Sequence, residues 1–374
     1  MINPNKKKIW LSPPCMTGEE LKFVHEAFES NWVSPVGPNI DGFENDLVKY
    51  TGSKYAVALS SGTAAIHLAL LVLGVKPGDE VICSSFTFAG SAFPISYVGA
   101  QPVFVDSEEE TWNMDPALLE QAIEDRKKLG KKITAIILVH LYGMPAKINE
   151  INAIASKHKI PIIEDAAEAF GAEYEGKKLG SFGDIGILSF NGNKIITTSG
   201  GGAILTDKKE YAERIKFLVT QAREKEIHYE HRQIGFNYRM SNVSAGIGRG
   251  QMKSLNDFVA RRRKIFDVYK ENLAGSSIRF PGELAPNFAN RWLTTILFEN
   301  SGTRDNIMKK LGFQNMESRP LWKPLHLQPV YSTSPFYGNT LSSSLFEVGL
   351  CLPSGSSLTE EEQSQIIDQI IKNL

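Results

Sequence analysis

A chain of 374 residues is longer than one ordinary domain, and 42% hydrophobic with 22% charged residues is the make-up of a globular protein. The formal net charge of −1 supplies no basic field for nucleic acid or an anionic membrane, and the apolar run 64–73, broken by His67, is too short to span a bilayer. Three scattered cysteines (Cys15, Cys83, Cys351) argue against a disulfide framework or a cysteine-based metal site, and the polar N-terminus predicts a cytoplasmic protein.

In chain order, a helix is expected over 18–30. A turn-rich segment follows, Asn31 to Pro38, whose prolines and glycine disfavour regular structure and suggest an arm or lid over residues 1–40. From 41 to 240 short apolar runs alternate with helical patterns. Strands are predicted at 56–59, 80–83, 101–105, 134–139, 161–164, 187–190 and 203–205. Helices are predicted at 63–73, 88–98, 116–126, 148–158 and 208–223. This alternation predicts an α/β domain with a mostly parallel sheet covered by helices. Beyond 240 a smaller α+β domain is expected (241–374). It would hold a long helix over 242–272, strands near 292–298 and 346–352, and helices at 304–311 and 359–372. The basic runs Lys6–Lys8 and Arg261–Lys264 read as a solvated arm and a helix face.

Chemistry concentrates where strands end. Lys194 follows the run 187–190 in a loop of small and polar residues that closes on Gly200-Gly-Gly202, and a desolvated lysine amine attacks carbonyls. The run 160–164 leads into Asp165, with Glu164 and Glu168 as neighbouring alternatives. A lysine that condenses with a carbonyl and a carboxylate that holds a pyridinium nitrogen are what pyridoxal phosphate (PLP) asks of a protein. Ser60-Ser-Gly-Thr63 lies between a strand and a helix. It serves either as a plain N-cap or as a phosphate cradle of free N–H groups. Phe86 and Phe88 offer an aromatic face, with Phe88 favoured. His228 and His231 lack further ligands, so no metal site is expected. Gly235 to Asn242 gathers aromatic, amide and guanidinium groups suited to anion or sugar contacts. The loop 319–328, with Arg319, Lys323 and His326, is expected to meet a diphosphate.

Together Pro35-Val-Gly-Pro38, Ser60-Ser-Gly-Thr63, Glu164-Asp-Ala-Ala167, Ser189–Lys194 and Gly235–Asn242 resemble the DegT/DnrJ/StrS aminotransferases of fold-type I, which use PLP on nucleotide-linked keto sugars. The resemblance implies roles. Lys194 would hold the cofactor and move protons, and Asp165 would pair with the ring nitrogen. Glu168, where many members have Gln, would sit by the ring hydroxyl. Gly62, Thr63 and Ser189 would hold the phosphate, with Phe88 stacked on the ring. Asn237 would reach the phosphate of a neighbouring subunit, which implies a homodimer, and Trp32, Tyr238, Arg239 and His326 would meet the sugar nucleotide. Within the family, the run 189–200, Gln221-Ala-Arg-Glu224 and His228-Tyr-Glu-His231 look most like enzymes that aminate C4 of UDP-4-keto-6-deoxy-N-acetylglucosamine with L-glutamate as donor.

Three other readings stand beside it. A deoxygenating relative would carry histidine in place of Lys194. A nicotinamide-dependent oxidoreductase or epimerase would need a Gly-x-Gly-x-x-Gly after a strand, and 246–250 follows none. A non-catalytic sensor would have no use for the intact Lys194 and Asp165.

Overall fold

The computed structural model describes residues 7–374, so Lys6 of the basic arm lies outside the described residues. Helices α1 (Glu19–Glu29) and α2 (Pro38–Thr51) precede β1 (Tyr55–Leu59), α3 (Gly62–Val72), β2 (Glu80–Ser84) and α4 (Phe93–Tyr97). There follow β3 (Gln101–Val105), α5 (Pro116–Lys128), β4 (Ile133–Val139), α6 (Ile148–His158) and β5 (Ile162–Asp165). A hairpin of β6 (Glu173–Tyr174) and β7 (Lys177–Lys178) leads to β8 (Ile185–Ser189), β9 (Gly202–Thr206) and α7 (Lys209–Val219). The remainder comprises α8 (Asn242–Met252), α9 (Leu255–Asn272), β10 (Thr294–Leu297), α10 (Ser301–Phe313) and β11 (Arg319–Pro320). It ends with β12 (Phe336–Tyr337), α11 (Leu341–Val348), β13 (Gly349–Leu352) and α12 (Glu360–Ile371).

Eight strands form one sheet in the order β1-β9-β8-β5-β4-β2-β3-β12, and β10, β13 and β11 form a second. In the large sheet only β1–β9 and β9–β8 pair antiparallel, so the expected mostly parallel sheet is present. Alternation divides its core. Ile136 and Leu138 of β4 pack on one face with Ile82, Val103 and α5, while Ala135, Ile137 and Val139 pack on the other with α3 and α7. A third cluster, from α9, α10, α12, β10 and β13, is the core of the smaller part.

Four local expectations are corrected. The helix expected at 88–98 is a 3-10 turn (Ala89–Ser91) followed by α4, because Pro94 supplies no N–H and suits only a first turn. Phe88 is thereby left in an extended conformation outside any helix. Helix α7 stops at Val219 rather than 223, since Gln221 and Ala222 take positive φ and Thr220 bridges Asn237. The long helix breaks between Met252 and Leu255. Residues 346–348 end α11 instead of opening a strand. Gly246, Gly248 and Gly250, unsuited to a dinucleotide by context, have a packing purpose. A Cβ at Gly250 would lie 2.5 Å from the Glu20 backbone, and one at Gly248 2.7 Å from the Phe43 ring, so α1 and α2 seat directly on α8.

Strand β12, absent from the expected elements, carries the later chain back to the large sheet. Phe104 N–H donates to Pro335 and Asp106 N–H to Tyr337, while the Asp106 carboxylate accepts the N–H groups of Asn339 and Ser342. Among the described residues no helix is long and apolar enough to cross a membrane.

Candidate active site

The carboxyl ends of β5 and β8 and the turn after β1 open on one cavity of about 390 Å³. It is lined by Ser60–Thr63, Phe88, Asp165, Glu168, Ser189 and Lys194. This is where a parallel sheet collects ligands, because the helix N-termini that follow its strands point there. Seven of the residues singled out from the sequence, Gly62, Thr63, Phe88, Asp165, Glu168, Ser189 and Lys194, therefore meet in space.

At one end Ser61 caps α3, its hydroxyl accepting the Ala64 N–H. The plain N-cap is therefore present. The cap engages Ala64, and the remaining first-turn N–H groups of a buried helix leave positive potential at the cavity. Ser60, Ser61, Thr63 and Ser189 all line the cavity. A Cβ on Gly62 would come within 3.1 Å of Ser189 Cβ, and one on Gly202 within 2.4 Å of the Ser61 backbone, so both glycines are needed for this closeness.

At the other end, strand alternation separates two consecutive acids. Glu164 turns into the protein, where Gly180, Phe182 and Gly183 N–H groups and the His140 ring surround its carboxylate. Burial works to raise its pKa, but His140 and the N–H donors outweigh it and hold the group below 4.5. Asp165 faces the cavity. Its Oδ2 accepts from Ser91 Oγ at 2.7 Å and its Oδ1 from Ala167 N–H at 3.1 Å.

Lys194 and Glu168 form a second kind of pair. Nζ lies 3.7 Å from Glu168 Oε1, with the two side chains 12% and 5% exposed. Burial lowers the Lys194 pKa below 10.5 despite the attraction of Glu168 and Asp165. Burial likewise raises Glu168 above 4.5 despite Lys194 and the Tyr142 N–H, which donates to its Oε2 at 2.7 Å. Both groups move toward neutrality, as expected where desolvation exceeds a 3.7 Å attraction.

Five further candidates do not line this cavity in the single chain. Trp32 is half-exposed and its carbonyl accepts from Asn242. Asn237 is exposed, bridged through its backbone to Thr220. The Tyr238 ring stacks on Phe236 near His67, and Arg239 pairs with Glu44. His326 hydrogen-bonds Ser85 and stacks on Phe336. His228 and His231 sit apart on the surface, bonded to Glu230 and the Gln221 carbonyl. Sequence reasoning missed Ser91, Thr87, Asn193, Trp292 and Trp322 as wall residues. Thr87 and Ser91 flank Phe88 and were legible in principle, whereas nothing local marks Trp292.

The donor set fits PLP. A cradle of N–H and hydroxyl groups suits its phosphate, a cavity carboxylate its ring nitrogen, an exposed Phe88 ring its face, and a desolvated lysine its carbonyl. Comparison with known proteins agrees. The model of the DegT/DnrJ/EryC1/StrS aminotransferase family matches residues 14–371. The chain is 49% identical to the putative pyridoxal phosphate-dependent aminotransferase EpsN of Bacillus subtilis, over 98% of this chain and 95% of that protein. It is 39% identical to GDP-perosamine synthase of Escherichia coli O157:H7, over 97% and 98%. The PLP form of the putative sugar aminotransferase Spr1654 of Streptococcus pneumoniae superposes with a TM-score of 0.90 at 29% identity, covering 98% of this chain and all of that one.

Proposed function

We propose that this chain, which belongs to the DegT/DnrJ/EryC1/StrS aminotransferase family, moves nitrogen from L-glutamate to the C4 carbonyl of a nucleotide-linked 4-keto-6-deoxy sugar, foremost UDP-4-keto-6-deoxy-N-acetylglucosamine. It is a PLP-dependent aminotransferase. The observation that carries the substrate reading is a second, mainly apolar cavity of about 770 Å³ that shares Asn193, Trp292 and Trp322 with the first. Trp10, Arg319 and Lys323 border it, an aromatic face and two cations of the kind a base and a diphosphate require.

Bound PLP supplies a carbonyl that carries the nitrogen and a ring that accepts electrons. In the proposed roles, Lys194 holds the cofactor, and once released its Nζ takes a proton from the donor carbon and returns one to the sugar carbon. Asp165, held in place by Ser91 and Ala167, keeps the ring nitrogen protonated. Gly62, Thr63 and Ser189 hold the phosphate, Phe88 covers the ring, and Glu168 stands beside Lys194 by the ring hydroxyl. The homodimer is supported by exposed apolar residues close in sequence to the outlying candidates, Trp32 and Val33 together and Ile227, Tyr229 and Ile234 ahead of the exposed Asn237. Surface-glycan synthesis in the cytoplasm is the setting this reading proposes.

A GDP-linked 4-keto sugar is the second reading, supported by the likeness to a GDP-perosamine synthase. Supplying the pyridoxamine-loaded enzyme with UDP- and GDP-linked 4-keto sugars separates them. Return of the visible cofactor band with the UDP sugar alone supports the first, with the GDP sugar alone the second. With neither, the substrate class is wrong.

A further inference from the structure

Trp292 enters the cavity wall from the segment before β10 and touches the lysine loop twice. The ring centroid lies 4.0 Å from Lys194 Nζ, and the indole N–H donates to the Asn193 carbonyl at 2.7 Å. That carbonyl also accepts Ser12 Oγ at 2.8 Å. The fully buried Arg262 donates to the Trp292 backbone carbonyl and to Ser12 Oγ. The Tyr142 ring lies nearly parallel to the indole, 6.3 Å away at 19°. One side chain thus meets the amine with its face and the adjoining peptide with its edge, and its backbone carbonyl is held by a buried guanidinium.

We propose that Trp292 is a positioning residue that seats the Lys194 ammonium whenever this lysine is free of the cofactor, its face holding the charge and its N–H holding the loop. The inference rests on the assignment of Lys194 to the cofactor. A lysine that leaves the cofactor and picks up a proton becomes a buried cation close to Glu168. A carboxylate there can take the proton as well as the charge. An aromatic face attracts the charge but accepts no proton, so the proton stays on Nζ for delivery to carbon. The ionisable groups acting on the amine from the surrounding elements are Glu168 and Asp165, both favouring the cation, and Arg262 binds the Trp292 backbone carbonyl.

The test replaces Trp292 alone with mono-, di- and trifluorotryptophan, which keep shape and N–H while draining the ring face. The rate at which PLP rejoins the stripped full-length protein is then followed against pH, since only the neutral amine attacks. The proposal expects the profile to slide stepwise to lower pH, each step about two- to fivefold in rate on the acidic limb. Superimposable profiles overturn it. Trp292→Phe, which keeps a face but loses the N–H, is expected to lower kcat several-fold with KM for glutamate within about twofold. An unchanged kcat removes the second half of the claim. Lys194→Ala separates the two readings. If borohydride still fixes the cofactor covalently to that variant, the lysine assignment fails; if covalent fixation vanishes while the fluorinated series stays flat, only the Trp292 proposal fails.

Discussion

Two buried acid–base pairs flank the end of β5, and they are built to opposite purposes. Glu164 faces His140 at 3.0 Å inside a ring of backbone donors, so its charge is fully accommodated. Glu168 faces Lys194 at 3.7 Å with one backbone donor and an open cavity beside it, and both members are pushed toward neutrality. The first pair is architecture; the second, in the roles proposed above, keeps a proton loosely held where one would move. Asp165 stands between them in sequence and is bonded on both oxygens yet open to the cavity.

The strongest way to break this contrast is Lys194→Ala. Turnover is expected to fall by at least about a thousandfold with no loss of fold, and a visible spectrum should lack the lysine-bound cofactor band. Glu164→Ala should do the reverse. Leaving His140 and three N–H groups without their acceptor is expected to cost about 3–5 kcal/mol in urea unfolding, and equal stability to the parent would mean the pair carries nothing. Asp165→Asn is expected to slow the glutamate half-reaction about a hundredfold, read by stopped-flow absorbance, while the urea midpoint barely moves.

The subtlest test sharpens the contrast through pH. Glu164 has a lowered folded pKa, so its contribution is present above 4.5 and is lost as pH falls through the folded value. The stability gap between parent and Glu164→Gln should therefore close in acid. Glu168 has a raised folded pKa, so its charge penalty operates above that value and disappears as pH falls toward 4.5. Glu168→Gln should be more stable than the parent by about 1 kcal/mol at neutral pH and level with it in mild acid. Parallel curves for the two variants, from denaturation at several pH values, would show that the pairs do not differ.

Much of this was legible because alternation and strand ends are local properties. The apolar runs of β1, β5 and β8 specify buried strands, and residues at or just past their ends are thrown to one edge, which gathers Thr63, Asp165 and Lys194. The choice between Glu164 and Asp165 needed the strand's two faces, which spacing alone does not orient. Trp292 was invisible since it reaches the cavity from almost a hundred residues beyond Lys194, by tertiary packing. Helix α2 was obscured by its opening Gly-Pro, which reads as a turn although proline suits a first helical position. Two-residue β12 is too short to leave any periodic trace.

That short strand has a mechanical meaning. Past residue 240 the chain does not simply leave the large sheet; it is stitched back at the far edge, with the Asp106 carboxylate as the knot. A body fastened at its root and again at a distant seam has no free axle to swing on. The 321–331 stretch between the two fastenings is held as well, by the Leu325 N–H on the Ser85 carbonyl and by the buried Leu321, Leu325 and Tyr331 side chains.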